Sequence, residues 1–422
     1  MAKRNLIFAA VVALLASFLM WAPTAQAAPR PIIVWVDAPY KEAAQQLFAG
    51  GYKNREIKVR VRDMSTIVTE LQSIDPEKAP DIILIDNAQT GELASASLIT
   101  PLTLSPTASR ELSSIAINGF KFGEALYGVP MQRQNVALVT NATMIPTAPA
   151  TFDKLSSLAL KTVADGVATV PFAIPQGLDG DAYSTYPLFS GLGGFVYGTN
   201  AFGAIDTSKV GINNKKFRKN QGQIDTWNST GLINSALTAD EARAAFLAGK
   251  SPFWITGPDD IANLKLVNFR YRISMVPPIV KGVNTSPFMK SIGFAVTTFA
   301  SAHKVLPASR DLVTNLSTTK KAQTTFYSKS PYVGLPAHTA AAAASPDRVL
   351  LAFGSAAIGA VPYPNVTEWG NTGMSLGGAW RDSTRGGDAV KAAKAFAAAR
   401  AQVIAAQAAA AAPAAPATPT VP

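Results

Sequence analysis

PIIVWVD (31–37) and PDIILID (80–86) are the two runs whose reading decides the fold. Each holds a continuous apolar segment, rich in β-branched residues, that stops at an acid. A strand covered by helices on both faces reads this way, because neither face meets water. Between the two runs, YKEAAQQLFAGGY (40–52) spaces Ala43, Ala44, Leu47 and Phe48 along one helical face, and Gly50-Gly51 supplies the stop. EIKVRVRD (56–63) alternates Ile57, Val59 and Val61, as a half-exposed strand does. STIVTELQSI (65–74) is a helix with Ser65 at its N-cap. Strand, helix, strand, helix, strand predicts a parallel or mixed sheet under helices, an α/β fold.

Further along, strands are expected at 136–140, 170–174, 251–256, 271–277 and 291–299, and helices at 184–194, 239–248, 309–319 and 388–409. Two α/β stretches joined by several crossings predict two lobes around a cleft. Ligands of such sheets bind beyond the carboxyl ends of strands. Three polar points fall there: Asp37, Asp86-Asn87, and Thr256 to Asp260 at the end of FWITGPDD.

Composition narrows the function. At roughly 150 residues per domain, a chain of 422 residues holds two or three domains. With 48% hydrophobic and 15% charged residues, it folds around a sizeable core rather than staying disordered. The formal net charge is +11, but the basic residues are scattered. The one dense run, NNKKFRKNQG (213–222), lacks the interleaved aromatics of a single-strand groove and reads as a solvated turn. No nucleic-acid partner is expected. The absence of cysteine excludes disulfides, Cys-zinc sites and a lipidated-Cys anchor, and two histidines argue against a multi-His metal site. No metal or cofactor is expected.

The first 27 residues read as a secretory signal peptide: Lys3 and Arg4, a 17-residue uncharged apolar stretch, then Ala25-Gln26-Ala27 before the cut. The alternative is an uncleaved anchor, for which 17 residues are short, since a spanning helix takes about 20. The expected product is exported, soluble in the periplasm or outside the cell, and not a lipoprotein. The Pro-rich end of the chain, from residue 406, is expected to be disordered.

Six motifs, in order, resemble the family 1 extracellular solute-binding proteins of ABC importers, the maltose-binding group in particular. They are IIVWVD with its helix, APDIILIDNAQTGELASASLITPL, EALYGVPMQRQNVALVTNATMI, AYSTYPLFSGLGGFVYG, DEARAAFLAGKSPFWITGPDDI and VPYPNVTEWGNTGMSLGGAW. The resemblance implies a Venus-flytrap receptor, each lobe a mainly parallel sheet covered by helices. It assigns 28–134 and 293–337 to the N-terminal lobe, and 135–292 and 338–405 to the C-terminal lobe. It also implies a maltose- or malto-oligosaccharide-like sugar ligand on which the protein performs no chemistry, permease subunits in the membrane as partners, and a monomer.

Carried onto this sequence, the resemblance points to Asp37 and Tyr40 after the first strand, Asp86, Asn87 and Gln89 after the third, and Gln134 in the crossover. It adds Asp181, Tyr183 and Tyr186 leading into an aromatic helix, Asp259 after the Gly-Pro turn, and Glu368 and Trp369 near the C-terminus. Several have structural alternatives: helix caps for Asp37 and Asp86, hinge bonding for Gln134 and its neighbours Gln132 and Asn135, core packing for Tyr186 and interlobe packing for Trp369. Asp260 reads as the cap of the helix that follows it. Departures weaken a specific assignment to maltose: Ala88-Gln89 stand where maltodextrin binders have an Asp-Arg pair, Gln134 replaces an acid, and Asp259 replaces a stacking ring. Such a site leans on hydroxyl hydrogen bonds. The competing readings are a polyamine or other polar cation drawn to the acids, and an exported glycosidase.

Overall fold

The computed structural model describes residues 29–177, 180–385 and 389–411. The expected signal peptide lies outside these residues, as does the chain beyond 411. The helix Ala389–Ala411 continues past residue 406, where a disordered tail was expected to begin. Alanine's helix propensity carries the helix on to Ala411.

The first sheet begins with β1 (Ile32–Val36), β2 (Ile57–Val61) and β3 (Ile82–Asp86). β1 pairs in parallel with both neighbours, and the helices Lys41–Leu47 and Ile67–Ser73 make the crossovers. After the hairpin β4 (Lys121–Phe122) and β5 (Ala125–Leu126), the chain runs through β6 (Gly128–Asn135) and directly into β7 (Ala137–Asn141). A second hairpin follows, β8 (Tyr197–Thr199) and β9 (Ile205–Val210), then β10 (Phe253–Thr256) and β11 (Tyr271–Ser274). β12 (Phe288–Val296), β13 (Leu335–Pro336) and β14 (Val361–Pro362) complete the set. The large sheet has the order β13-β6-β12-β3-β1-β2, with β14 beside β12, and the small one β10-β7-β11.

The α/β class is as expected, but the pairing is less parallel than the sequence suggests. β12 runs antiparallel to β3 and β6, and β7 runs antiparallel to β10 and β11. The apolar runs record burial on both faces, not strand direction: Phe253 to Thr256 are all buried in an antiparallel pair. The expected strand at 170–174 is a single bridge, Ala173 to Trp254. The expected helix at 309–319 is the helix Leu306–Asp311 followed by a wider turn at Leu312–Leu316.

One apolar core gathers Trp35, Phe120, Phe294 and Phe326 around β1, β3 and the second half of β12. Another gathers Phe152, Phe189, Phe288, Trp380 and Phe396, and a third packs Phe246, Trp254 and Phe353 around β7 and β10. Full burial of such side chains stabilises the fold by about 1.5–3 kcal/mol each. The strands that pass between the cores are β6–β7, which meet at Val136, and β12, whose register shifts between Ile292 and Gly293. Asn135 donates to the carbonyls of Val136 and Phe353 at 3.1 and 3.0 Å. Gln132 donates to those of Tyr332 and Gly334 at 3.1 and 2.9 Å. Both amides pin the crossing, the hinge alternative for these two residues.

Candidate functional site

Two loops at the carboxyl edge of the first sheet are knitted together by side chains expected on a ligand. Asp37 accepts from the Met64 amide at 2.8 Å, and Gln89 donates to the Met64 carbonyl at 2.7 Å. Gln89 also accepts from the Asp86 amide at 3.1 Å. Asn87 is fully buried, donates to the Tyr363 carbonyl at 2.8 Å and accepts from the Ser291 amide at 2.9 Å. Asn87 and Gln89 therefore each have both amide ends bonded to backbone, which gives them a structural role. Asp86 accepts from the Ala88 amide through Oδ1 at 2.9 Å, which leaves Oδ2 for another partner.

Other expected residues make structural contacts of their own. Tyr186 is 4% exposed and stacks on Phe288 at 3.6 Å, so it belongs to the core. Glu368 lines a separate cavity with Asn200 and Asp206, on the side of the β8–β9 hairpin. Asp260 caps nothing: it is buried and accepts from Thr256, from Arg243 at 2.7 Å and from Asn263 at 3.0 Å. Asp181 does cap its helix, accepting from the amides of Tyr183 and Ser184 at 2.9 and 3.0 Å.

The remaining residues converge. A cleft of about 600 Å³ is lined by Gln176, Asp181, Tyr183, Lys290, Tyr363 and Trp369. Lys290 stands on β12 opposite Gln134 of β6. Its ammonium lies 4.3 Å from the Tyr183 ring centre and 4.9 Å from that of Tyr363. Trp369 meets Tyr363 edge-on at 5.5 Å.

The electrostatics show the same convergence. Burial pushes the Tyr40 hydroxyl up to about 12, helped by the charges of Asp37, Asp86 and Asp259. Burial also drives Tyr183 and Tyr332 well above the usual phenol range, and both feel Asp86 and Asp259. Asp86 is raised by burial, against the Ala88 amide and the Lys290 charge. Asp259 is raised by desolvation, against Lys290 and a hydrogen bond from Gln134. Two carboxyls, a lysine and three tyrosines are thus linked electrostatically. Among these residues and those lining the cleft, the Tyr183 and Tyr332 hydroxyls, Gln134 Oε1 and both amide atoms of Gln176 are buried without a protein partner.

Lys290, Gln176, Tyr332 and Tyr363 were not singled out from the sequence. SPFMKSIGF offered one signal, a lysine interrupting a run that continues as a buried strand. The histidines are spent elsewhere. His303 bridges Asp81 and the Pro76 carbonyl at 2.7 and 2.6 Å, and His338 accepts from Ala341 at its helix start. Among the described residues, no group of three or more His, Cys, Asp or Glu is placed to hold a metal.

Two α/β lobes joined by crossing strands, with a polar and aromatic cleft at the crossing, define a two-lobed solute-binding fold. The chain belongs to the bacterial extracellular solute-binding protein family, whose sequence pattern matches residues 35–351. It is similar to the maltodextrin-binding protein MdxE of Bacillus subtilis, 24% identical over 66% of this chain and 67% of the relative. A maltooligosaccharide ABC transporter solute-binding lipoprotein of Streptococcus pneumoniae is 26% identical over 84% of this chain and 86% of its own. Among solved structures, an extracellular solute-binding protein of Staphylococcus aureus in complex with maltose superposes with a TM-score of 0.76 at 21% identity, covering 90% of this chain and 98% of that one. A cyclo/maltodextrin-binding protein complexed with maltotetraose gives 0.75 at 19%, covering 91% and 98%.

Proposed function

We propose that the protein is the sugar receptor of an ABC importer, taking a maltose- or malto-oligosaccharide-like ligand between its lobes and presenting it to membrane permease subunits. In this reading the lobes are 28–134 with 293–337, and 135–292 with 338–405; the receptor is an exported monomer that performs no chemistry on its ligand. The cysteine-free sequence supports retention without a lipid thioether, unlike the relative named a lipoprotein. No helix among the described residues is long and apolar enough to cross a membrane.

The observation that carries the reading is the cluster of buried, unpartnered donors and acceptors around Asp86 and Asp259. Leaving a buried polar group unpaired costs about 1–3 kcal/mol, and a polyhydroxylated ligand offers hydroxyls that both donate and accept. Lys290 argues against a polyamine. It already places an ammonium over two of the ring faces that a second cation would use, and its charge acts on both carboxylates. Those occupied faces also favour hydroxyl hydrogen bonding over ring stacking.

A melting assay across sugars, polyols, polyamines and amino acids tests this. A saccharide class should raise the melting temperature, with binding little changed by salt. A shift by polyamines alone, weakening steeply as ions screen the acids, would replace the sugar reading with the cation reading.

A further inference from the structure

On β6 and β12 the residues that alternate with the cleft residues face a second cavity. Successive side chains of a strand point to opposite faces of the sheet. Gln134 and Lys290 look toward the cleft, whereas their neighbours Arg133 and Met289 line a separate cavity of about 600 Å³ behind the crossing. One wall comes from the first lobe, with Arg110 and Ser114, and the other from the turn after the helix Arg348–Ser355, with Ile358.

Arg133 is the unusual member. Its Nε is buried without a partner, and no acid lies within ion-pair distance of it among the described residues. Burial alone, with no compensating carboxylate, lowers its pKa from the usual guanidinium range. Buried charges are normally paired, because an isolated one loses its hydration without return. Arg110 stands at the exposed rim of the same cavity, also without an acidic partner. The carboxylate of its neighbour Glu111 turns instead toward His338, at 3.6 Å. A guanidinium presents a planar fork of donors matched to phosphate oxygens, and Ser114 adds a hydroxyl at the rim. The cavity is larger than one phosphate ion, and Met289, Ile115 and Ile358 give it apolar wall.

We propose that this cavity is a second binding site, for a small phosphate ester, with Arg133 holding the phosphate from the floor and Arg110 from the rim. The site stands independently of which solute occupies the cleft. It spans the strands on which the lobes turn, so its occupant touches both sides of the hinge.

Calorimetric titration of the full chain tests it, with inorganic phosphate and glycerol 3-phosphate as probes at constant ionic strength. Both should bind saturably at one site, the ester more tightly because it also covers apolar wall. Arg110→Ala and Arg133→Met should each weaken binding at least tenfold, whereas Lys290→Met should leave it unchanged. Arg110 is exposed, so its variant carries the test even if Arg133→Met fails to fold. Absence of saturable binding, equal affinity in the Arg110 variant, or loss of binding in the Lys290 variant would overturn the proposal.

Discussion

Asp86→Asn should move stability and affinity in opposite directions. The substitution is isosteric, and an asparagine Oδ1 can still accept from the Ala88 amide as Asp86 does at 2.9 Å, so the turn after β3 keeps its cap. The variant loses a desolvated charge. Burial raises the Asp86 carboxyl, so the native state binds the proton more tightly than the unfolded chain does. The stability tied to that protonation is full below the unfolded pKa and is lost as pH rises through the folded one. Above the folded pKa the wild type therefore carries the whole penalty and the asparagine variant carries none. The melting-temperature difference should be near zero in acid and should grow in favour of the variant as pH rises. Affinity follows the other way. Oδ1 already accepts from Ala88, so one ligand hydroxyl donating to Oδ2 is the contact at stake; a hydrogen bond to a charged group contributes about 1.5–3 kcal/mol. At 1.4 kcal/mol per decade, the dissociation constant should rise roughly 10- to 150-fold. Calorimetry on the sugar found by the melting panel, with melting curves across pH, reads both quantities. A variant that melts lower at neutral pH and binds as well as wild type would show that Asp86 is only a cap.

Lys290→Met removes the charge that holds Asp86 and Asp259 down, so the acid limb of a binding-against-pH profile should move to higher pH; an unmoved limb would place the ammonium outside the site. The adjacent acids should separate cleanly. Asp259→Ala, exposed and bonded to Gln134, should weaken binding about tenfold or more with little change in the urea midpoint. Asp260→Ala should lose about 2–3 kcal/mol of stability, a figure that discounts Arg243 for its exposure, and should bind near-normally once folded. Gly293→Ala places a methyl against the Val129 carbonyl oxygen and 2.8 Å from the Phe120 ring; it should cost about 1–3 kcal/mol and lower affinity through the β6–β12 crossing, measured by urea unfolding and calorimetry.

The fold was legible because continuous apolar runs and helical spacing report burial, and burial is what layers an α/β chain. Strand direction was not legible, since FWIT is buried on both faces whichever way its neighbour runs. At the site, a residue type and a position after a strand identify a polar group near the cleft but not how its atoms are used. Asp86 and Asn87 look alike in sequence; one keeps a carboxylate oxygen uncommitted and the other has both ends tied to Tyr363 and Ser291. Lys290 was hidden for a different reason. Its partners Asp86, Tyr183 and Asp259 come from three distant stretches, and only the return of β12 alongside β3 and β6 places them around it.

That return also ties ligand contact to lobe motion. Gln134 and Lys290 sit opposite one another on the two strands that cross between the cores, so a ligand held by them is held by the hinge itself. Shifting a two-state equilibrium from 1:99 to 99:1 takes about 5.5 kcal/mol of differential binding. Five buried polar atoms of the cleft residues and their charged neighbours lack protein partners: the Tyr183 and Tyr332 hydroxyls, Gln134 Oε1, and Gln176 Oε1 and Nε2. At about 0.5–1.5 kcal/mol net for each hydrogen bond, satisfying all five supplies roughly 2.5–7.5 kcal/mol, which brackets the requirement. A ligand that satisfies two of them falls short, whatever its total contact area. On the proposed function, discrimination between solutes rests on the number and placement of hydroxyls that reach these five atoms at once, and a deoxy analogue should lose closure as well as affinity.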